Sequence, residues 1–128
     1  MAWCFADELD EYADSVLGAF SKSEATVPAL WSLEVANTLI QGERRRRLIV
    51  ADSQRFLDLL ESLPIKIDGE TATRATGSTL AVGREYGLTV YDATYLELAM
   101  REGLSLSTND SKLRTAIKAA GVPLFTPS

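Results

Sequence analysis

Three acids, Glu34, Asp92 and Asp110, combine residue type and placement in a way that could do chemistry. Asp110 follows Leu104-Ser105-Leu106-Ser107-Thr108-Asn109, where an apolar strand hands over to a helix containing Leu113, Ile117 and Ala120. Asp92 heads a stripe with Tyr95, Leu96 and Ala99, so it faces the edge of the core rather than open water. Glu34 has Leu30 and Asn37 as its i−4 and i+3 neighbours and borders a second apolar stripe. Carboxylates packed together repel, and some take up protons. A divalent cation reverses that logic and keeps them ionised. Such a cation can hold a phosphate, acidify a bound water and stabilise a leaving oxygen. An ordinary structural role competes for each acid. Asp92 and Asp110 sit where an aspartate caps a helix or suits its dipole. Glu34 is too far inside its helix to cap, and its ordinary role is to snorkel to water.

Composition narrows the chemistry further. The chain has no histidine, which removes Ser-His-Asp and Cys-His mechanisms and every histidine-based zinc site. An all-carboxylate set selects hard cations such as magnesium or manganese. The single cysteine, Cys4, cannot close an internal disulfide, so a cytoplasmic setting is expected. A net charge of -5 argues against a generic nucleic-acid binder, so any such contact must be local. No apolar run reaches the length of a membrane span, and the acidic N-terminus is not a secretory signal.

These acids need a scaffold, and the hydrophobic pattern supplies an α/β one. Length predicts one domain over residues 1–128. Leu9, Tyr12, Ala13, Val16, Leu17 and Phe20 predict an amphipathic helix. A strand is expected at Ala25–Val27, followed by a helix from Pro28 to about Gly42. Phe56, Leu57, Leu60 and Leu63 mark another helix, stopped by Pro64, and Ile65 and Ile67 alternate like a short strand. Small residues from Glu70 to Tyr86 predict a helix whose face packs closely on a sheet. Gly87, Gly103 and Gly121 each end a helical stretch and precede an apolar run: Leu88–Val90, Leu104–Leu106 and Val122–Phe125. Helices alternating with short apolar strands predict a parallel sheet, whose ligand edge lies beyond the strand ends.

With the acids placed, the sequence resembles the PIN-domain ribonucleases of the VapC type over essentially its whole length. Val27-Pro28-Ala29-Leu30-Trp31-Ser32-Leu33-Glu34-Val35-Ala36-Asn37 is similar to the second acidic motif of that family. Tyr91-Asp92-Ala93-Thr94-Tyr95-Leu96-Glu97-Leu98-Ala99 is similar to the third, and Ser107-Thr108-Asn109-Asp110-Ser111-Lys112-Leu113 to the fourth. The resemblance implies a PIN-like three-layer α/β/α fold and a magnesium- or manganese-dependent endoribonuclease acting on single-stranded or exposed RNA. It implies the toxin of a type II toxin–antitoxin pair, a homodimer neutralised by a cognate antitoxin. Glu34, Asp92 and Asp110 would be the catalytic and metal-binding acids, with Thr108, Asn109 and Asn37 in support.

One departure stands out. The family's first strand carries an aspartate before a stretch resembling Met1-Ala2-Trp3-Cys4-Phe5-Ala6-Asp7-Glu8, where this chain begins. That central strand is therefore expected to be missing, leaving its neighbours unpaired. Three explanations fit: a start codon placed too late, a truncated inactive relative, or another segment or chain filling the gap. Asp7 and Glu8 read as first-turn helix acids. The departure motivates an alternative of a different class, an inactive PIN-like scaffold that only dimerises or binds an antitoxin. A phosphatase or phospho-receiver would also group acids at a sheet edge, but their strand-end acid patterns are absent.

The run Arg44, Arg45, Arg46 and Arg47 has two readings. A solvated helix end is the more ordinary, since cations suit a helix C-terminus. Contact with RNA phosphates is the functional one. Trp3, Trp31 and Tyr91 could stack on bases, but packing in the core or a dimer interface is the more ordinary use of such aromatics.

Overall fold

The computed structural model describes residues 2–3, 24–108 and 110–125. The expected helix around Leu9–Phe20, together with Cys4, Asp7, Glu8 and Asn109, lies outside the described residues. In chain order the elements are β1 (Ala2–Trp3), β2 (Ala25–Val27), α1 (Leu30–Arg44), α2 (Val50–Glu61), β3 (Ile65–Ile67), α3 (Thr71–Arg74), α4 (Ser78–Tyr86), α5 (Val90–Glu102), β4 (Leu106–Ser107) and α6 (Ser111–Ala120).

The strands form one sheet in the order β3-β2-β1-β4, every pair parallel. Ala2 pairs with Thr26 on one side and Leu106 on the other, and its N–H donates to the Ser105 carbonyl at 2.9 Å. This corrects the expectation of an empty central position: the chain's own Ala2–Trp3 lies between β2 and β4. Its two residues suffice because Ala2 is fully buried with strands on both sides.

The expected mixed α/β class holds, and three local expectations are corrected. Leu88–Val90 is not a strand: Gly87 caps α4 in the left-handed conformation at φ 64, and Thr89 already caps α5, which leaves no room for extended chain. Val122–Phe125 contributes an isolated bridge, Leu124 to Leu106, rather than a strand. The expected helix Glu70–Tyr86 is broken at Gly77, whose φ of −116 and ψ of −104 are not helical. The helix marked by Phe56, Leu57 and Leu60 is present and begins at Val50, where the Asp52 carboxylate accepts the Ile49 N–H at 3.0 Å and stabilises the first turn. Gly103 and Gly121 close α5 and α6 at φ 65 and 74, as the helix-cap pattern predicts.

The core is made by Trp31, Val35 and Leu39 of α1, the Ala93–Ala99 run of α5, Leu106 of β4, and Leu113 and Ile117 of α6. The small-residue face packs on a helix rather than on the sheet: a Cβ on Gly83 would meet the Leu88 carbonyl oxygen at 3.2 Å and the Ala93 Cβ at 3.6 Å. Glycine there lets α4 approach α5 closely. Among the described residues no helix is long and apolar enough to cross a membrane.

Candidate functional site

Glu34 lies in the second turn of α1, which starts three residues after β2 ends. It is half-buried, and its Oε1 accepts a hydrogen bond from the Tyr95 hydroxyl of α5. Tyr95 is fully buried, so this bond fixes the height at which α1 and α5 meet. Asp92 is one turn before Tyr95 on the same helix face. The Tyr95 contact therefore brings the glutamate of α1 to the acid-bearing face of α5. Asp92 itself is half-buried, and its backbone N–H donates to the Thr89 hydroxyl at 3.2 Å. Thr89 is thus the side-chain cap of α5.

Asp110 does cap α6: its Oδ2 accepts the Leu113 N–H at 3.3 Å. No bond to Oδ1 is found among the described residues. Thr108 supports this loop from a fully buried position. Its hydroxyl accepts the Asp110 N–H at 3.1 Å, and its carbonyl accepts the Arg114 Nε–H at 3.0 Å. Asn37 is exposed on α1, and Asn109 lies outside the described residues.

The donor set fits a magnesium or manganese ion in kind, being all carboxylate oxygen. The positions fit in part. Among the described residues no group of three or more acids stands close enough to hold a metal. The Glu34–Tyr95 bond joins the elements that carry Glu34 and Asp92, while Asp110 is held separately as a cap.

A second polar assembly escaped the sequence reading. Arg101 donates from Nη2 to Asp68 at 2.8 Å, from Nη1 to Asp68 at 3.1 Å and from Nε to Glu97 at 3.0 Å. Arg74 reaches Glu97 at 3.4 Å and Glu70 at 3.1 Å, and Ser78 donates to Glu97 at 3.3 Å. The Arg101 guanidinium holds the Asp68 carboxyl below its ordinary value of 3.8, and the two carboxylates raise the affinity of Arg101 for its proton. Thr71 links this network to the acid-bearing helix: it donates to Asp68 at 3.5 Å and accepts the Ala29 N–H at 2.9 Å, just before α1. A cleft of about 320 Å³ beside it is lined by Thr26, Lys66, Asp68, Glu70, Glu102 and Leu104, and holds none of the three candidate acids. The i,i+4 pair Glu97 and Arg101 was the sequence signal for the network. For Tyr95 the signal was a hydroxyl on a buried stripe, which needs a partner.

No protein-family model matches the sequence, and no curated protein matches it. Among solved structures, the chain is similar to the crystal structure of PAE2754 from Pyrobaculum aerophilum. The likeness has a TM-score of 0.68 at 26% identity and covers 90% of this chain and 77% of that one.

Proposed function

We propose that the chain is a metal-dependent endoribonuclease with a PIN-like fold, the toxin partner of a type II toxin–antitoxin pair. The observation that carries this reading is the Tyr95–Glu34 bond, which joins the two helices bearing the second and third acidic motifs at the level of those acids. The fourth motif supports it. Thr108 is fully buried and organises the Asp110 turn, the role that the resemblance gives it.

Glu34, Asp92 and Asp110 would hold a magnesium or manganese ion, which supplies an acidified water and charge stabilisation at a scissile phosphate. The chain's own contribution is positional. Tyr95 orients one oxygen of Glu34, and Thr108 fixes the turn of Asp110. The partners that belong to this reading are single-stranded or exposed RNA, a cognate antitoxin and a second copy of the chain.

The test is cleavage of a mixed-sequence single-stranded RNA by the full chain with magnesium or manganese, and with chelator. Cleavage should need the metal, and Asp92→Ala and Asp110→Ala should each lower it by about 100-fold or more without unfolding the protein. Metal-independent cleavage, or cleavage indifferent to Asp92→Ala, would overturn the reading. A second reading, an inactive scaffold that only binds a partner, is favoured by the absence of a three-acid group among the described residues. It predicts partner binding with no cleavage under any metal.

A further inference from the structure

We infer that the turn Arg44–Arg47 is a preformed binding site for the phosphates of single-stranded RNA. The choice of RNA as ligand rests on the nuclease reading; the anion site itself does not. Four adjacent arginines are all exposed, in a chain whose net charge is -5. Among the described residues none of the four forms an ion pair. Four of the five arginines elsewhere are engaged among the described residues: Arg55 pairs with Asp52, Arg74 with Glu70, Arg101 with Asp68, and Arg114 bonds the Thr108 carbonyl, while Arg84 is exposed without a partner among them. A run of like charges with no acidic partner among the described residues suits an external anion.

The backbone gives a second, independent observation. After α1 the Arg46 N–H donates to the Glu43 carbonyl and the Arg47 N–H to the Gly42 carbonyl, at 3.0 and 2.9 Å. This is the Schellman closure of a helix, with Arg46 at the position that glycine usually takes. Arg46 is indeed left-handed, at φ 57, the one non-glycine residue with positive φ among those described. A glycine would adopt that conformation without steric cost. An arginine held there at the expense of the turn points to a use for its side chain. The closure also fixes the backbone from which the guanidinium groups project, so less order is lost on binding.

The site lies on a track from the acid edge. Glu34, Thr38 and Gln41 follow each other at helical spacing along one face of α1, and Arg45, its C-cap, comes next in that spacing. Eleven residues at 1.5 Å each put Arg45 roughly 16 Å from Glu34. A strand of RNA cut at Glu34 can therefore lay neighbouring phosphates on the arginines. Exposed Ile49 and Val50 follow the turn and would suit an acidic protein segment instead, so the experiment includes one.

The probe is a fluorescein-labelled, mixed-sequence 12-nucleotide RNA, read by anisotropy with the full chain in chelator between 50 and 300 mM potassium chloride. The triple variant Arg44→Gln, Arg45→Gln, Arg47→Gln should bind at least tenfold more weakly at low salt. Its slope of log affinity against log salt should be shallower by about 2, from roughly 0.7 per lost phosphate contact. Arg46→Gly keeps the turn and should reduce the slope by about 0.7. An unchanged slope in both variants overturns the site. A charge-matched glutamate-rich peptide that binds wild type more tightly than the RNA, and loses binding in the variants, overturns the RNA assignment. The two readings fail separately. Arginine-dependent binding with no metal-dependent cleavage sinks the nuclease alone, whereas cleavage with unaltered KM and salt dependence in the triple variant sinks this site alone.

Discussion

Tyr95 and Arg46 carry contrasting roles that their residue types alone do not announce. Tyr95 is a core side chain by burial and a positioning group by its hydroxyl, which donates to Glu34. Tyr95→Phe keeps the ring and removes the bond. Manganese affinity, read by titration calorimetry, should fall by about tenfold or more, as when a group that orients a metal ligand is lost. A melting temperature lowered with no change in manganese binding would assign Tyr95 to the core alone. At Arg46 the expectation has the opposite sign for stability. Relief of the left-handed conformation in Arg46→Gly should raise unfolding free energy by about 1 kcal/mol in urea titration, net of the entropy that glycine adds to the unfolded chain. A destabilised Arg46→Gly would mean that the side chain packs against the turn rather than straining it.

At the level of elements, the sheet is shallow and its fastening is polar. Strands of two or three residues make few backbone bonds, so each one matters. Ala2→Pro would delete the N–H that donates to Ser105 in the central strand and should lower the melting temperature by several degrees. An unchanged melt would show that β1 is dispensable to the fold. Beyond β3, Asp68 is 8% exposed and Arg101 13% exposed. Removing Asp68 takes away one carboxylate facing Arg101 and leaves Glu97, so the loss should fall below the about 3 kcal/mol of a fully orphaned buried charge. Because Arg101 lowers the folded-state pKa of Asp68 below 3.8, the pair's contribution is present above about pH 4 and is lost as pH falls through the lowered value. Asp68→Asn should therefore be clearly less stable than wild type at pH 7, and the gap should close on acidification below pH 4. A gap independent of pH would assign the loss to packing.

For the whole molecule, charge is divided by sign into places with different work. The chain has Lys+Arg 13 against Asp+Glu 18, yet four of its cations stand together in one turn. RNA association should therefore be steered locally and fade steeply with salt, rather than follow the net charge. The absence of histidine removes the side chain that ordinarily titrates between pH 5 and 8. Unfolding free energy should accordingly stay nearly level from pH 6 to 8 in urea titrations, and a marked slope there would reveal a strongly shifted group.

Read alone, the sequence determined what depends on local periodicity and residue chemistry. It placed α1, α5 and α6 with their apolar faces, the three glycine caps, the mixed α/β class and the oxygen-only chemistry of the acids. These follow from patterns of four to eleven residues, within reach of a single element. Only the tertiary structure decided what depends on distant partners. It set Ala2–Trp3 between β2 and β4, because burial between two strands, and not propensity, holds so short a segment. It joined Glu34 to Tyr95 across 61 positions and Asp68 to Arg101 across 33. A side chain's partner is fixed by which elements pack together, and no spacing along the chain encodes that directly.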